Sequence, residues 1–164
     1  MRKNKYTFFV DLDQVIVNFN KQFKLDNNGL SDVQYCKKYS KEQFDIMVKD
    51  YSIEWWEKLE WMPDGKQLWF AIKKFNPIIL TAHLHSDNTV EGKVLWLNRE
   101  LPDIQYYIVP IHTKHLYAAE NYVLIDDNRR NIKEWEEAGG IGILHTNTEN
   151  TLEIVENLLQ EVEE

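Results

Sequence analysis

Residues 6–17 read YTFFVDLDQVIV, and this stretch decides the predicted architecture. Its first part, Tyr6–Val10, is a short apolar run that stops abruptly at Asp11 and Asp13. A continuous apolar run of this kind is typical of a parallel strand that is buried on both faces. We therefore predict a buried strand whose carboxyl end opens onto a polar site.

Similar apolar runs recur downstream, with helical patterns between them. Strands that alternate with helices predict a mostly parallel sheet covered on both faces. The later strands are Pro77–Leu80, Tyr122–Ile125 and Ile141–Leu144, with Ile104–Val109 as a fifth candidate. The helical segments are the face of Leu68, Ala71, Ile72 and Phe75, the stretch Asn128–Ala138 before Gly139-Gly140, and the closing stripe of Leu152, Val155, Leu159 and Val162.

Residues 18–61 interrupt this alternation, because they contain no convincing strand and are rich in lysine and aromatic residues. We interpret them as a helical insertion. The predicted fold class is α/β: a three-layer, Rossmann-like, mostly parallel sheet with a small helical cap inserted after the first strand. The core would comprise residues 1–17 and 62–164, and the cap residues 18–61.

Polar residues stand where three of the predicted strands end. Ligands bind outside the carboxyl ends of the strands in an open parallel sheet. Crowded carboxylates need a cation among them, and their hard oxygens suit Mg²⁺. One acidic pair would be explained by helix capping, but two pairs and a hydroxyl at one edge favour a metal site. These residues are Asp11 and Asp13, Thr81, and Asp126 and Asp127.

The same residues resemble the four motifs of the haloacid dehalogenase superfamily. FFVDLDQVIV (residues 8–17) is similar to the first motif, IILT (78–81) to the second, Lys114 to the lysine of the third, and VLIDDN (123–128) to the fourth. The motifs occur in the family's order and organise residues 6–128. Dehalogenases of the family lack the acid that Asp13 supplies, so the resemblance implies phosphoryl chemistry.

The resemblance also implies roles for the motif residues. Asp11 would attack phosphorus and form an aspartyl-phosphate. Asp13 would protonate the leaving oxygen and then activate water. The residues expected at the phosphate are Thr81, Ala82 and Lys114, with Lys93 as the alternative third-motif lysine.

The implied cofactor is Mg²⁺. Its ligands would be Asp11, Asp126 and the backbone carbonyl of Asp13, with Asp127 as a further ligand or an outer partner. The sequence departs from the family at Gln14, where many relatives have glycine. This departure would restrict the turn or add a polar contact.

A narrower resemblance, to the 5′(3′)-deoxyribonucleotidases, indicates the substrate. Asn18-Phe19 is similar to their Asp/Asn-Phe pair, and WWEKLEWMPDGKQLW (residues 55–69) resembles their aromatic run before a turn. Phe19 would then stack on a base, a contact that contributes about 1–3 kcal/mol. Packing between cap and core is the alternative role for Phe19. We interpret Trp55, Trp56 and Trp61 as structural and assign no role to His83 and His85.

Composition limits the remaining choices. The net charge of −8 argues against nonspecific binding to nucleic acid, and the single cysteine, Cys36, excludes an internal disulfide. The apolar run near the N-terminus is too short for a signal peptide or a membrane span. We expect a cytoplasmic protein with no membrane partner, and the oligomeric state, a homodimer included, stays open.

The sequence therefore predicts an Mg²⁺-dependent phosphomonoester hydrolase, a nucleotidase for (deoxy)nucleoside monophosphates. Two alternatives stay open within enzymes: a phosphatase for another small phosphate ester, or for a nucleic-acid 3′-phosphate. A third is a non-catalytic nucleotide-binding protein with the same fold.

Overall fold

A computed structural model of the protein describes residues 5–160. Its centre is a sheet of five parallel strands in the order β3-β2-β1-β4-β5. All the predicted strands are present, the fifth candidate included, and the predicted fold class is confirmed. The strands are β1 (Thr7–Val10), β2 (Ile78–His83), β3 (Tyr106–Pro110), β4 (Tyr122–Asp126) and β5 (Ile141–Leu144).

Helices fill the connections, and within residues 5–160 there are eight α-helices. They are α1 (Phe19–Asp26), α2 (Asp32–Lys38), α3 (Lys41–Lys49), α4 (Ile53–Glu57), α5 (Gly65–Ile72), α6 (Asp87–Glu100), α7 (Arg129–Glu137) and α8 (Thr148–Gln160). Three of them, α5, α7 and α8, match the predicted helical segments. Phe75 lies beyond α5 in the 3₁₀ turn Lys73–Phe75, and Val162 lies outside the described residues. The outermost residues of the predicted core, 1–4 and 161–164, also lie outside them.

The central strands send alternate side chains to opposite faces of the sheet. In β1, Phe8 and Val10 join one apolar cluster, which also holds Leu68 of α5 and Val155 of α8. Phe9 joins a second cluster with residues of α7. Because a strand has a side-chain period of two, this division produces the three predicted layers.

Residues 18–61, the predicted cap, are all described; they hold α1 to α4 and contain no strand of the sheet. The chain enters and leaves the cap at one place, since Asn18 donates its N–H to the Glu60 carbonyl at 2.8 Å. The cap rests on the core where α4 meets α6. A Cβ on Gly92 would lie 2.5 Å from the Trp56 Cβ, so the two helices touch at a residue without a side chain.

None of the helices within residues 5–160 combines the length and the apolar character needed to cross a membrane.

Candidate active site

The candidate site lies at the carboxyl edge of the sheet, where β1 is flanked by β2 and β4. Asp11 directly follows β1, and its N–H donates to a β4 carbonyl at 2.9 Å. Thr81 lies two residues beyond the β2 partner of Val10, and Asp126 one residue beyond its β4 partner. The parallel register therefore brings polar residues of three motifs to one edge.

Lys114 connects the two acidic motifs. Its ammonium donates to Asp11 Oδ1 and to Asp126 Oδ2, each at 2.7 Å. The residue begins the 3₁₀ turn Lys114–Tyr117 after β3 and is 3% exposed. Charge-assisted contacts this short hold a carboxylate firmly. The structure thus puts Lys114, rather than Lys93, against Asp11.

The carboxylates of the site are crowded together in buried surroundings, and this shifts their pKa values. Burial first, and then the charge of Asp126, raises the pKa of Asp11 to about 7, although Lys114 opposes the shift. Burial disfavours the charged form of Lys114, but Asp11 and Asp126 together outweigh it and raise the pKa of Lys114. Asp127 is exposed as a residue, yet the protein around its carboxylate and the charge of Asp11 raise its pKa to about 8. One lysine does not neutralise three carboxylates.

The residues present fit a divalent cation. Asp11, Asp126 and Asp127 each offer a carboxylate oxygen, and these oxygens lie within 4.8 Å of one another. Hard oxygen donors and an excess of negative charge suit Mg²⁺ or Mn²⁺. Among the described residues, this group leaves out the Asp13 side chain. A ligand role for Asp13 through its backbone carbonyl stays a prediction.

The two acids of the fourth motif differ in their surroundings. Asp126 is fully buried, and its oxygens accept hydrogen bonds from Asn128 N–H at 2.8 Å and Asn131 Nδ2 at 3.0 Å as well as from Lys114. Asp127 instead lines the cavity described below. The more open carboxylate is therefore that of Asp127, which the sequence had ranked second.

A second buried lysine, Lys93, lies on the other side of the site. Its ammonium donates to Asp13 Oδ2 at 2.6 Å, Thr81 Oγ1 at 2.8 Å and the Ala82 carbonyl at 2.8 Å. It also lies 5.1 Å from the centre of the Trp56 ring, in the cap. Three acceptors satisfy the three N–H donors of the ammonium. The sequence treated the two lysines as alternatives, but Lys114 pairs with Asp11 and Asp126, whereas Lys93 pairs with Asp13.

The turn after Asp13 contains the predicted departure from the family. Gln14 has a φ of 63°, a conformation that favours glycine. Its side-chain Oε1 accepts the Asn20 N–H at 2.8 Å, in the first turn of α1. The substitution therefore adds a polar contact that ties the first motif to the cap.

A cavity of about 590 Å³ separates this edge from the cap. Asp11, Asp13, Lys114 and Asp127 form its floor. The cap side is largely apolar, and two cap lysines stand at it. The apolar residues on the cap side include Phe19, Phe44, Val48 and Trp56, and the lysines are Lys37 and Lys41.

Phe19 lines this cavity but is 6% exposed. Its ring stacks on Phe23 with centroids 5.4 Å apart, and Phe44, Trp55 and Trp56 surround it. Cap packing, the alternative role, therefore describes most of its surface. The part that faces the cavity is what remains for a ligand.

Another cavity, of about 640 Å³, lies between α5 and α8. Its lining includes four carboxylates, those of Asp64, Glu149, Glu153 and Glu156. Because none of the described residues that line it is a lysine or arginine, this cavity disfavours a phosphate and is not the candidate site.

No family model and no curated protein matches the sequence. Among solved structures, a hydrolase from Streptococcus pneumoniae TIGR4 matches with a TM-score of 0.52 and 14% identity, over 93% of this chain and 99% of that one. A hydrolase from Pseudomonas syringae matches with a TM-score of 0.50, also at 14% identity and over the same shares. The chain therefore shares its α/β fold with these two hydrolases. At this identity the likeness concerns the fold.

Sequence reasoning missed the contacts that surround the motifs. Asn131 was overlooked, and Lys93 was considered only as a substitute for Lys114. A signal for Lys93 was available in the buried stripe of α6, which recurs with the helical period and includes a lysine. The stripe comprises Thr89, Gly92, Lys93, Trp96 and Leu97.

Proposed function

We propose that this protein is a divalent-metal-dependent phosphomonoester hydrolase that acts on nucleoside monophosphates. The observation that carries the proposal is the pairing of Asp11 with Lys114 at 2.7 Å on the floor of a cavity that also exposes Asp13. The proposed nucleophile and the proposed acid/base thus face the same cavity, and the Lys114 ammonium holds the nucleophile in place.

The proposed reaction has two steps. An Asp11 oxygen attacks phosphorus, the ester P–O bond breaks, and Asp13 gives its proton to the leaving oxygen. Asp13 then takes a proton from water, whose oxygen attacks the same phosphorus and breaks its bond to Asp11. Inorganic phosphate leaves, and both aspartates return to their starting states.

Lys114 and a metal ion have separate parts in this proposal. Lys114 fixes the Asp11 carboxylate and supplies one positive charge. A divalent ion, held by Asp11, Asp126, Asp127 and the Asp13 carbonyl, would offset the charge that develops on the phosphoryl group. Because Asp126 already accepts three hydrogen bonds, Asp127 has more freedom to move toward the ion.

The cavity supports a nucleotide as the substrate. Its volume lies within the range of roughly 300–1,000 Å³ that small-molecule sites occupy. Phe19, Phe44 and Trp56 on the cap side offer aromatic surface to a base. We propose a preference for deoxynucleotides on the resemblance to the deoxyribonucleotidases.

The test is phosphate release with Mg²⁺ from deoxy- and ribonucleoside monophosphates, sugar phosphates and 3′-phosphorylated oligonucleotides, each repeated with excess EDTA. We expect the highest kcat/KM for nucleoside monophosphates and no turnover in EDTA. Full activity in EDTA would contradict the metal requirement. Release from sugar phosphates alone would remove the nucleotide assignment, and release from no substrate would favour the non-catalytic alternative.

A further inference from the structure

Several buried polar atoms around the cavity have no hydrogen-bond partner within residues 5–160. Three of them, Trp56 Nε1, His83 Nδ1 and Thr89 Oγ1, belong to residues that the proposed chemistry does not use. A fourth is Asp13 Oδ1, the free oxygen of the proposed acid/base. Native proteins leave few buried polar atoms unsatisfied, so a group of them on one cavity points to a ligand.

The three atoms come from different elements that meet at the cap–core contact. Trp56 belongs to α4, Thr89 to the buried stripe of α6, and His83 to the end of β2. Trp56 and Thr89 are 4% and 2% exposed, so bulk water does not replace a partner there. The close contact at Gly92, on the same stripe as Thr89, fixes Trp56 against α6.

Their position is at the leaving-group end of the site. Lys93 donates to Asp13 Oδ2 at 2.6 Å and lies 5.1 Å from the Trp56 ring centre. Asp13 is the residue that would protonate the leaving oxygen. The Trp56 ring therefore lies on the Asp13 side of the site, where the leaving oxygen would depart.

We propose that Trp56, Thr89 and His83 form a polar subsite that hydrogen-bonds the leaving group of the substrate. This inference rests on the proposed function and specifies the chemistry that the leaving group must carry. The indole N–H can only donate, so the leaving group presents a hydrogen-bond acceptor to Trp56. The Thr89 hydroxyl and a neutral imidazole can donate or accept, which suits a hydroxyl beside that acceptor. Burial, and then the charges of His85 and Lys93, lowers the pKa of His83, which favours the neutral ring.

The inference makes stability and recognition respond in opposite ways. Removing a polar atom that has no partner in the folded protein relieves an unsatisfied group, so the fold should not lose stability. Recognition of a polar leaving group should suffer, because the ligand loses a hydrogen bond. A structural role for these atoms would lower the melting temperature and leave substrate preference unchanged.

The test compares Thr89→Val and Trp56→Phe with wild type on a deoxynucleoside 5′-monophosphate and on phenyl phosphate. The leaving group of phenyl phosphate has no oxygen beyond the ester oxygen. For each variant we expect kcat/KM to fall about five- to tenfold more for the nucleotide than for phenyl phosphate. For Thr89→Val we also expect a melting temperature equal to or above that of wild type, whereas Trp56→Phe shortens a buried side chain and should melt at a lower temperature.

Matched variants control for side-chain shape. Thr89→Ser keeps the hydroxyl and should retain the preference for the nucleotide. Trp69→Phe removes an indole on α5 and should leave both substrates unaffected, since Trp69 is not among the described residues that line the cavity. Equal losses on both substrates, or no loss on either, would overturn the subsite.

Failure of the proposed function can be separated from failure of the subsite. If wild type hydrolyses neither ester with Mg²⁺, the phosphatase assignment fails, and binding decides the subsite instead. The readout is then the shift in melting temperature that the deoxynucleotide causes. A smaller shift for Thr89→Val than for wild type supports the subsite, and an equal shift overturns it.

Discussion

The cavity has two ends that satisfy their polar groups in different ways. At the strand edge, the carboxylates of Asp11 and Asp126 accept hydrogen bonds from one buried lysine. At the contact between cap and core, Trp56 Nε1 and Thr89 Oγ1 have no hydrogen-bond partner anywhere in the described chain. At the first end the hydrogen-bond partners belong to the protein itself, whereas at the second end a bound molecule would have to supply them.

This difference separates chemistry from recognition. Groups that must be oriented before reaction are held by internal contacts, so they need no reorganisation when charge develops. Groups that select a ligand are left unpaired, so a molecule that cannot pair with them binds poorly. Variants at each end of the cavity can test this difference separately.

The largest effect is expected at the strand edge. Asp11→Asn keeps the shape of the side chain but removes the nucleophilic carboxylate, so phosphate release should fall on the order of 10³-fold or more. The measurement is kcat/KM with Mg²⁺, with deamidation back to aspartate excluded by mass spectrometry. Asp103→Asn, at an exposed position, makes the same chemical change and should keep full activity. A variant at Asp11 that turns over normally would remove the covalent step.

The next effect concerns Lys93, which stands between the two ends. Lys93→Met should free Asp13 from its partner and slow hydrolysis of a nucleotide on the order of 10²-fold, because a misplaced acid protonates the leaving oxygen poorly. Hydrolysis of p-nitrophenyl phosphate should slow less, since its leaving group scarcely needs a proton. The measurement is single-turnover kinetics on both substrates.

Lys133→Met, which removes an exposed lysine on α7, is the control for Lys93→Met and should match wild type. If Lys93→Met slows both substrates equally, Lys93 acts on the phosphoryl group or on the fold, and the positioning of Asp13 is excluded.

The sequence could predict local features of the fold and the site, but not the contacts between distant residues. The strands and the motif residues were predictable because apolar runs ending in acids form a local pattern, and parallel strands bring those ends together. The pairing of Lys93 with Asp13 joins residues 80 positions apart and depends on α6 lying beside the end of β2, where Lys93 also reaches Thr81 and Ala82. Local pattern carries no signal for such a contact. A lysine in a buried helical stripe indicates that it has a partner but does not identify that partner.

Trp56 is a second case in which the sequence could not predict the surroundings of a side chain. An aromatic pair before a turn predicts a packed cap, and Trp56 is indeed buried against α6. That its N–H lacks a partner is a property of the three-dimensional surroundings. No sequence pattern distinguishes a satisfied indole from an unsatisfied one.

A smaller effect is expected in the pH dependence of stability without metal. Asp11 has a pKa raised to about 7 from its usual 3.8, so the folded protein holds a proton that the unfolded chain releases. Between about pH 4 and pH 7, Asp11 therefore makes the free energy of unfolding fall as pH rises, by up to about 1.4 kcal/mol per pH unit. Above about pH 7 this contribution levels off.

The measurement is the melting temperature in EDTA from pH 5 to 8, compared between wild type and Asp11→Asn. The variant lacks the titrating carboxyl, so its curve should fall less steeply over this range. Mg²⁺ favours the ionised carboxylate and should stabilise wild type more at pH 8 than at pH 5. Parallel curves for the two proteins would show that Asp11 does not titrate as its surroundings indicate.

The smallest effect is expected at Phe19, where packing and recognition overlap in one side chain. Phe19 stacks on Phe23 inside the cap and presents its remaining surface to the cavity. Phe19→Leu keeps most of the side-chain volume but removes the flat ring. If a base stacks there, kcat/KM for a nucleotide should fall by a factor that corresponds to about 1 kcal/mol or slightly more of lost transition-state stabilisation. The loss on p-nitrophenyl phosphate should be smaller.

Phe23→Leu is the matched control, because Phe23 is fully buried and is not among the described residues that line the cavity. That variant should lower the melting temperature by a similar amount without changing the preference between the two substrates. If both variants lower stability and neither changes the preference, Phe19 belongs to the cap packing alone. Recognition would then rest on the polar atoms around Trp56.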